Sequence, residues 1–174
     1  MSDNGPFCQG AGGHAGGHRC RRAFMLTIRP DLLEKTGEVL IPPFVDHEIA
    51  RHVQDWTSRR PGWLRVESPT HPVARRLEQW AAQIDLGAGE MEALVLAKSR
   101  AADWLLTDDA AARVVATLLG MEAHGSLGIV LWAAAQAHVS RHEAATILDG
   151  LAAASLWISP AILAEARRAL DVLS

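Results

Sequence analysis

Two adjacent carboxylates, Asp108 and Asp109, follow an apolar run, and a helical pattern that contains Arg113 begins directly after them. Two like charges side by side repel each other, and each resists transfer out of water. Stability alone therefore favours one such group, or none, at the end of a buried strand. The pair predicts either a bound cation or a structural role in which one aspartate caps the helix and the other is solvated.

Carboxylates from distant parts of the chain can converge on the same place. Glu90 opens the helical segment before that strand, Glu48 lies on a helix that follows an earlier strand, and Asp3 is the remaining candidate. Functional groups of parallel α/β sheets gather at the carboxyl ends of strands. Carboxylates without basic residues between them suit the hard cations Mg²⁺ and Mn²⁺. In the structural alternative, Glu90 and Glu92 only stabilise a helix by interacting with the positive end of its dipole, and Glu48 is an ordinary surface charge.

Strand-like and helical segments alternate along the chain and must position these carboxylates. The short strand-like segments are residues 39–41, 64–66 and 103–107. Residues 121–136 are predicted to contain a strand end, a turn at Gly125–Gly128 and a further helix. The helical segments are residues 45–56, 72–84, 90–102 and 109–119, the last of which is predicted to stop at Gly120. This alternation predicts an α/β fold with a parallel sheet and right-handed crossovers.

The C-terminal third of the chain is predicted to be helical. Ser140 and Glu143 form a capping box, and Ser159 precedes Pro160 as an N-cap before a first-turn proline. These are folding signals, and we assign them no chemistry.

Length and composition predict one domain after a glycine-rich start. The chain has 174 residues, of which 49% are apolar, which suffices for one hydrophobic core. Residues 1–24 contain six glycines and no periodic pattern of apolar residues, so we expect them to be poorly ordered. Residues 25–174 are predicted to form a single domain.

Charge and cysteine content limit the partners and the compartment. The formal net charge is −3, so a nucleic acid would need a local arginine patch or a bound cation. The candidate patches are Arg19, Arg21 and Arg22, then Arg59 and Arg60, then Arg75 and Arg76. Two cysteines, no signal-peptide pattern and no apolar run of about 20 residues predict a cytoplasmic protein without a membrane span.

Cys8, His14, His18 and Cys20 are ligand types that suit zinc. Their C-x5-H-x3-H-x-C spacing matches no common zinc module, and closing a loop this rich in glycine is entropically costly. A zinc site is therefore an alternative interpretation of the N-terminal segment.

Three stretches together resemble the PIN-domain nucleases, in particular the DUF3368-like branch related to VapC-type toxins. The first is "GEVLIPPFVDHEI", and the last is "LWISP". The long middle stretch carries Gly89-Glu90-Met91-Glu92-Ala93, then Asp108-Asp109 with Arg113, then Gly125-Ser126-Leu127-Gly128. The resemblance covers roughly residues 37–165 and rests on the order and spacing of these elements.

The resemblance implies a three-layer α/β/α fold and a metal-dependent endoribonuclease, the toxin of a toxin–antitoxin pair. The implied catalytic and metal-binding acids are Asp3, Glu48, Glu90 and Asp109, with Asp108 sharing or replacing the role of Asp109. The implied supporting residues are Glu92, Arg113 and Ser126. The implied cofactor is Mg²⁺ or Mn²⁺, the substrate is RNA, and the expected partners are an antitoxin and a second copy of the chain.

The family's first aspartate normally ends an apolar first strand. "SDNGPF" makes Asp3 its counterpart, but only two residues precede it, which is too few for a strand. Three explanations are open: "FMLTI" at residues 24–28 supplies a substitute strand, the true start lies upstream, or this copy is degenerate.

A non-enzymatic interaction module is the rival interpretation. Six tryptophans are many for this length, and tryptophan is favoured at interfaces. Large aromatic side chains are also common core anchors, which is the structural alternative. The tryptophans are Trp56, Trp63, Trp80, Trp104, Trp132 and Trp157.

Overall fold

Four short strands form two parallel pairs in a computed structural model that describes residues 29–69, 86–154 and 158–173. They are β1 (Val39–Ile41), β2 (Leu64–Val66), β3 (Trp104–Leu106) and β4 (Glu122–His124). β1 pairs with β2 and β3 with β4, with Leu40 opposite Arg65 and Leu105 opposite Ala123. The strands predicted at residues 39–41, 64–66 and 103–107 and the strand end predicted within residues 121–136 are thus present. The turn predicted at Gly125–Gly128 is wrong in its extent, because a helix begins at Ser126.

Eight helices accompany the strands in the same described ranges. They are α1 (Pro30–Glu34), α2 (Pro43–His52), α3 (Trp56–Arg59), α4 (Ala88–Ser99), α5 (Ala110–Leu118), α6 (Ser126–Ala135), α7 (Arg141–Ala154) and α8 (Pro160–Val172). The predicted helix at residues 72–84 and the predictions for residues 1–28 lie outside the described residues.

Local signals set several helix ends. The Ser140 N–H donates to a Glu143 carboxylate oxygen at 2.8 Å, and the Glu143 N–H donates back to the Ser140 hydroxyl at 3.2 Å. This is the predicted capping box, and it starts α7. The Ser159 hydroxyl accepts from the Ile162 N–H at 3.3 Å and starts α8. Gly120 has a φ of +69°, a left-handed value that ends α5 at little cost for glycine.

The helix predicted over residues 45–56 is wrong in its extent, because α2 ends at His52. Asp55 has a φ of +56°, which breaks the helix before Trp56 begins α3. One Asp46 carboxylate oxygen accepts from the Trp56 indole N–H at 2.7 Å, and the other accepts from Arg60 at 2.7 Å. These contacts hold α3 against α2, and apolar spacing alone does not reveal them.

Buried apolar residues of the described ranges form two clusters. The larger one joins α1, β1, β2 and α2 to the helical C-terminal part, where α6, α7 and α8 pack on one another. The smaller one lies between α4, β3 and α5. α4 contacts both β1 and β3, so it reaches both strand pairs.

The mixed α/β architecture with parallel strands and a helical C-terminal part confirms the predicted fold class. Within the described residues the strands make two pairs instead of one continuous sheet. None of the helices seen there has both the length and the apolar character that crossing a bilayer requires.

Candidate active site

The buried polar residues of the described ranges lie at the starts of helices or directly after β3. They are Glu90, Thr107, Asp109 and Ser126. Glu90 is 3% exposed and Asp109 is 6% exposed, although a carboxylate loses hydration when it is buried. The two buried acids, Glu90 in the first turn of α4 and Asp109 after β3, are the candidate site residues in the described ranges.

Asp109 is the N-cap of α5, at the carboxyl end of β3. One of its carboxylate oxygens accepts from the Ala112 N–H at 2.9 Å. Its own N–H donates to the Thr107 hydroxyl at 3.1 Å. The capping role that the sequence offered as the structural alternative is therefore present, and these bonds also fix where the carboxylate points.

Asp108 is not the solvated neighbour that the structural alternative expected. It is half-buried, and its carboxylate accepts from the Ser126 N–H at 2.7 Å. The Ser126 hydroxyl donates to the other carboxylate oxygen. An acid at the start of α6 is favourable because a helix N-terminus carries partial positive charge. Asp108 thus stabilises the start of α6, whereas its neighbour Asp109 stabilises the start of α5.

Gly125 allows this close approach. A Cβ atom at position 125 would lie 2.7 Å from an Asp108 carboxylate oxygen and 3.1 Å from a guanidinium nitrogen of Arg113. The φ of Gly125 is −96°, so space and not backbone conformation requires the glycine. Arg113 is exposed, and none of the ion pairs found in the described residues includes it.

The glutamates lie on α4 and α2, which pack against each other. Glu90 is buried in the first turn of α4. A Glu92 carboxylate oxygen accepts from the Phe44 N–H at 3.1 Å, so Glu92 caps the first turn of α2. Glu48 is half-buried on α2, farther along that helix. Glu92 is thus a link between two helix starts.

The predicted ligands do not form a compact metal cluster in the described ranges. There, no three His, Cys, Asp or Glu side chains are close enough to hold one metal ion. Asp3 and the zinc candidates Cys8, His14, His18 and Cys20 lie outside those ranges. The buried groups near β3 nevertheless offer carboxylate and hydroxyl oxygens, which are the donor types that Mg²⁺ and Mn²⁺ prefer. The donor chemistry therefore fits such an ion.

Comparison with known families matches residues 26–171 to a family model, DUF3368, described as a PIN domain. The chain belongs to the PIN-domain family. No curated protein and no solved structure matches it. The matched range of this PIN domain includes Glu48, Glu90 and Asp109 but begins after Asp3.

Sequence reasoning missed three contacts of the candidate site residues in the described part of this PIN domain. They are the Thr107 bond to the Asp109 N–H, the Asp108 bonds to Ser126, and the Glu92 bond to Phe44. The glycine before Ser126 is a signal of close approach that could have suggested the second contact. The third joins residues 48 positions apart, and no local pattern indicates it.

Proposed function

We propose that this PIN domain is a metal-dependent endoribonuclease that hydrolyses RNA phosphodiester bonds. The burial of two carboxylates, Glu90 and Asp109, carries the proposal. Burial of a carboxylate is costly, and a bound divalent cation would lower that cost further than protein contacts such as the Ala112 N–H bond to Asp109 do. Membership of the PIN family, whose fold is of the nuclease type, agrees with this assignment.

In this proposal Glu90 and Asp109 hold Mg²⁺ or Mn²⁺ together with Glu48 and Asp3. A divalent ion in such a site supplies a Lewis acid that activates water for attack on phosphorus. The ion also explains why the chain retains several acids where stability alone favours fewer.

The other residues of the site position the reacting groups. The Ala112 N–H and the Thr107 hydroxyl fix Asp109 relative to α5. Asp108 holds the start of α6 through Ser126, which keeps the Gly125 turn close to the end of β3. Arg113 lies beside Gly125 and offers an exposed guanidinium to a phosphate oxygen of RNA.

The resemblance to VapC-type toxins leads us to propose a cytoplasmic toxin that pairs with an antitoxin and forms a homodimer. Two exposed apolar side chains support a protein partner: Val114 is 57% exposed and Leu118 is 65% exposed. They are four residues apart on α5 and so share one face of the helix. The exposed Val114 and Leu118 also support the second candidate function, a PIN-like interaction module without catalysis, because exposed apolar side chains mark protein contact surfaces.

Cleavage of single-stranded RNA by the purified chain with Mn²⁺ tests the proposal. Asp109→Asn should abolish cleavage but preserve the fold, because asparagine caps a helix about as well as aspartate. Glu90→Gln should also abolish it. Glu165→Gln removes one charge from an exposed position on α8 and should leave cleavage unchanged.

Circular dichroism and urea unfolding of each variant separate loss of chemistry from loss of fold. Cleavage that survives both EDTA and Asp109→Asn rejects the metal-dependent mechanism. RNA binding without cleavage in the unsubstituted chain, at any Mn²⁺ concentration, supports the interaction module instead.

A further inference from the structure

Three exposed residues line one side of α2. Phe44, His47 and Arg51 are spaced at i, i+3 and i+7, so helical geometry places them along the same side of the helix. Val45 and Ile49 lie on another side of α2 and are buried in the larger apolar cluster. The three exposed residues, which we call the α2 stripe, therefore face solvent while the rest of α2 is anchored to the core.

The N-terminal end of the α2 stripe adjoins the candidate site. The Phe44 N–H donates to a Glu92 carboxylate oxygen at 3.1 Å, and Glu92 lies in the same helix turn as Glu90. Glu48 follows Phe44 by four residues and therefore lies beside it on α2. A molecule bound to the Phe44 ring would thus be close to Glu48 and to the start of α4. The bond to Glu92 comes from the backbone of Phe44, so a change of the Phe44 side chain leaves it in place.

Phe44 is exposed, whereas the other large aromatic side chains of the described ranges are not. Its exposed fraction is 40%, but the four tryptophans of these ranges pack within or against the larger apolar cluster. Pro42 and Pro43 precede Phe44, and their rings fix the backbone dihedral φ there. An exposed ring on a rigid backbone is a suitable platform for a nucleobase, which stacks on aromatic side chains when it is unpaired.

The C-terminal end of the α2 stripe is positively charged. Arg51 is exposed, and none of the ion pairs found in the described ranges includes it. Its place in the last turn also suits the negative end of the helix dipole, but that role uses its charge and not its N–H groups. Arg60, by contrast, donates to Asp46 at 2.7 Å and is already used within the fold. Arg51 can therefore supply the local positive charge that a polyanion needs from a chain of net charge −3.

We propose that the α2 stripe binds single-stranded RNA, with the Phe44 ring stacked on an unpaired base and the Arg51 guanidinium bonded to a phosphate. His47 lies between them and offers an imidazole to the same strand. The choice of RNA rests on the proposed nuclease function. The bases of a duplex are already stacked on one another, so the Phe44 ring selects an unpaired strand. The stripe would then hold the strand beside Glu48.

Fluorescence anisotropy with a labelled single-stranded oligoribonucleotide tests the stacking contact. The Kd is measured in EDTA and, in the Asp109→Asn background, with Mn²⁺, so that cleavage does not interfere. Phe44→Ala should raise the Kd by about 5- to 100-fold, and Phe44→Trp should keep it within about twofold or lower it. Both variants should leave the Kd for a blunt duplex of the same sequence unchanged within about twofold. Ile162→Ala, at an exposed apolar position on α8, is the matched control and should not change either Kd.

The salt dependence of binding tests the phosphate contact separately. Arg51→Ala should weaken binding and reduce the slope of the logarithm of the binding constant against the logarithm of salt concentration by about 0.7, the value for one phosphate of a single strand. Phe44→Ala should weaken binding without changing this slope, because a phenyl ring carries no charge. Arg168→Ala on α8 is the control for the loss of one exposed positive charge and should change neither quantity.

Several outcomes would overturn the proposal. They are no binding of single-stranded RNA under either condition, an unchanged Kd in Phe44→Ala, an equal effect of Phe44→Ala on the duplex, and an unchanged slope in Arg51→Ala. Loss of self-association in Phe44→Ala with unchanged RNA affinity also overturns it and assigns Phe44 to a contact between copies. If circular dichroism shows that Phe44→Ala is unfolded, Phe44→Leu replaces it, because leucine keeps an apolar side chain but removes the aromatic face.

The same variants separate this proposal from the proposed nuclease function. RNA binding that depends on Phe44 in a chain that never cuts RNA supports the α2 stripe and rejects the nuclease. Cleavage of RNA with a KM that Phe44→Ala leaves unchanged supports the nuclease and rejects the α2 stripe.

Discussion

The Asp108 carboxylate accepts the backbone N–H of Ser126 at 2.7 Å, although the two residues are 18 positions apart. The Ser126 hydroxyl bonds the same carboxylate, so one side chain ties the segment after β3 to the start of α6. The adjacent Asp109 caps α5. The aspartate pair therefore fixes two helix starts relative to one strand end.

Replacement of Asp108 by alanine should destabilise the fold by about 1 to 3 kcal/mol, because it removes an acceptor shared by two donors at a helix start. Urea unfolding measures the change. Asp103→Ala is the matched control, since Asp103 is exposed just before β3 and should change stability by about 0.5 kcal/mol or less. Equal effects of the two substitutions would contradict the capping role of Asp108.

Gly125→Ala should cost about 1 to 3 kcal/mol, because the added methyl group would lie 2.7 Å from one oxygen of a carboxylate that two hydrogen bonds hold in place, one on each oxygen. The cost should fall when Asp108 is already alanine, since the crowded oxygen is then absent. A double-mutant cycle of urea unfolding measures this coupling. A cost that is the same in both backgrounds would show that the clash lies elsewhere.

Elements of the fold that depend on neighbouring residues could be predicted from the sequence. The strand at residues 39–41, the capping box of Ser140 and Glu143, and the end of α5 at Gly120 all follow from local patterns. Asp109 as an N-cap was one of two interpretations of the aspartate pair, and its local bond to Ala112 is present. Whether it also binds a metal stays a prediction.

Contacts between distant segments could not be predicted in the same way. The Asp46 bonds that fold α3 against α2 and the Glu92 bond to Phe44 depend on how the helices pack. No pattern in the chain indicates that the described strands form two pairs. Periodicity predicts which segments are strands but does not predict which strands pair with each other.

The Glu143 carboxylate has its pKa held below its usual value, because the hydroxyl and then the backbone N–H of Ser140 hydrogen-bond to it. A carboxyl whose pKa is lower in the folded state stabilises the fold above its unfolded pKa. That contribution is lost as the pH falls through the folded pKa. An NMR titration should give Glu143 a pKa below that of a glutamate in an unstructured peptide, and Ser140→Ala should raise it. An unchanged pKa in the variant would exclude the hydroxyl as the main cause.

Arg113 should contribute to RNA binding and not to the fold, a prediction that rests on the proposed nuclease function. Arg113→Ala should lower kcat/KM for RNA by about 10- to 100-fold, the loss of one charge-assisted hydrogen bond to phosphate. Arg113→Lys should recover part of this, since it keeps the charge but loses the planar fork. Arg168→Ala is the control. Arg168 is also an exposed arginine, and it lies on α8, which contributes no residue to the candidate site. If Arg113→Ala also lowered the thermal stability, its effect on activity would indicate a structural role for Arg113. An equal loss of kcat/KM in Arg168→Ala would indicate a nonspecific effect of removing a positive charge.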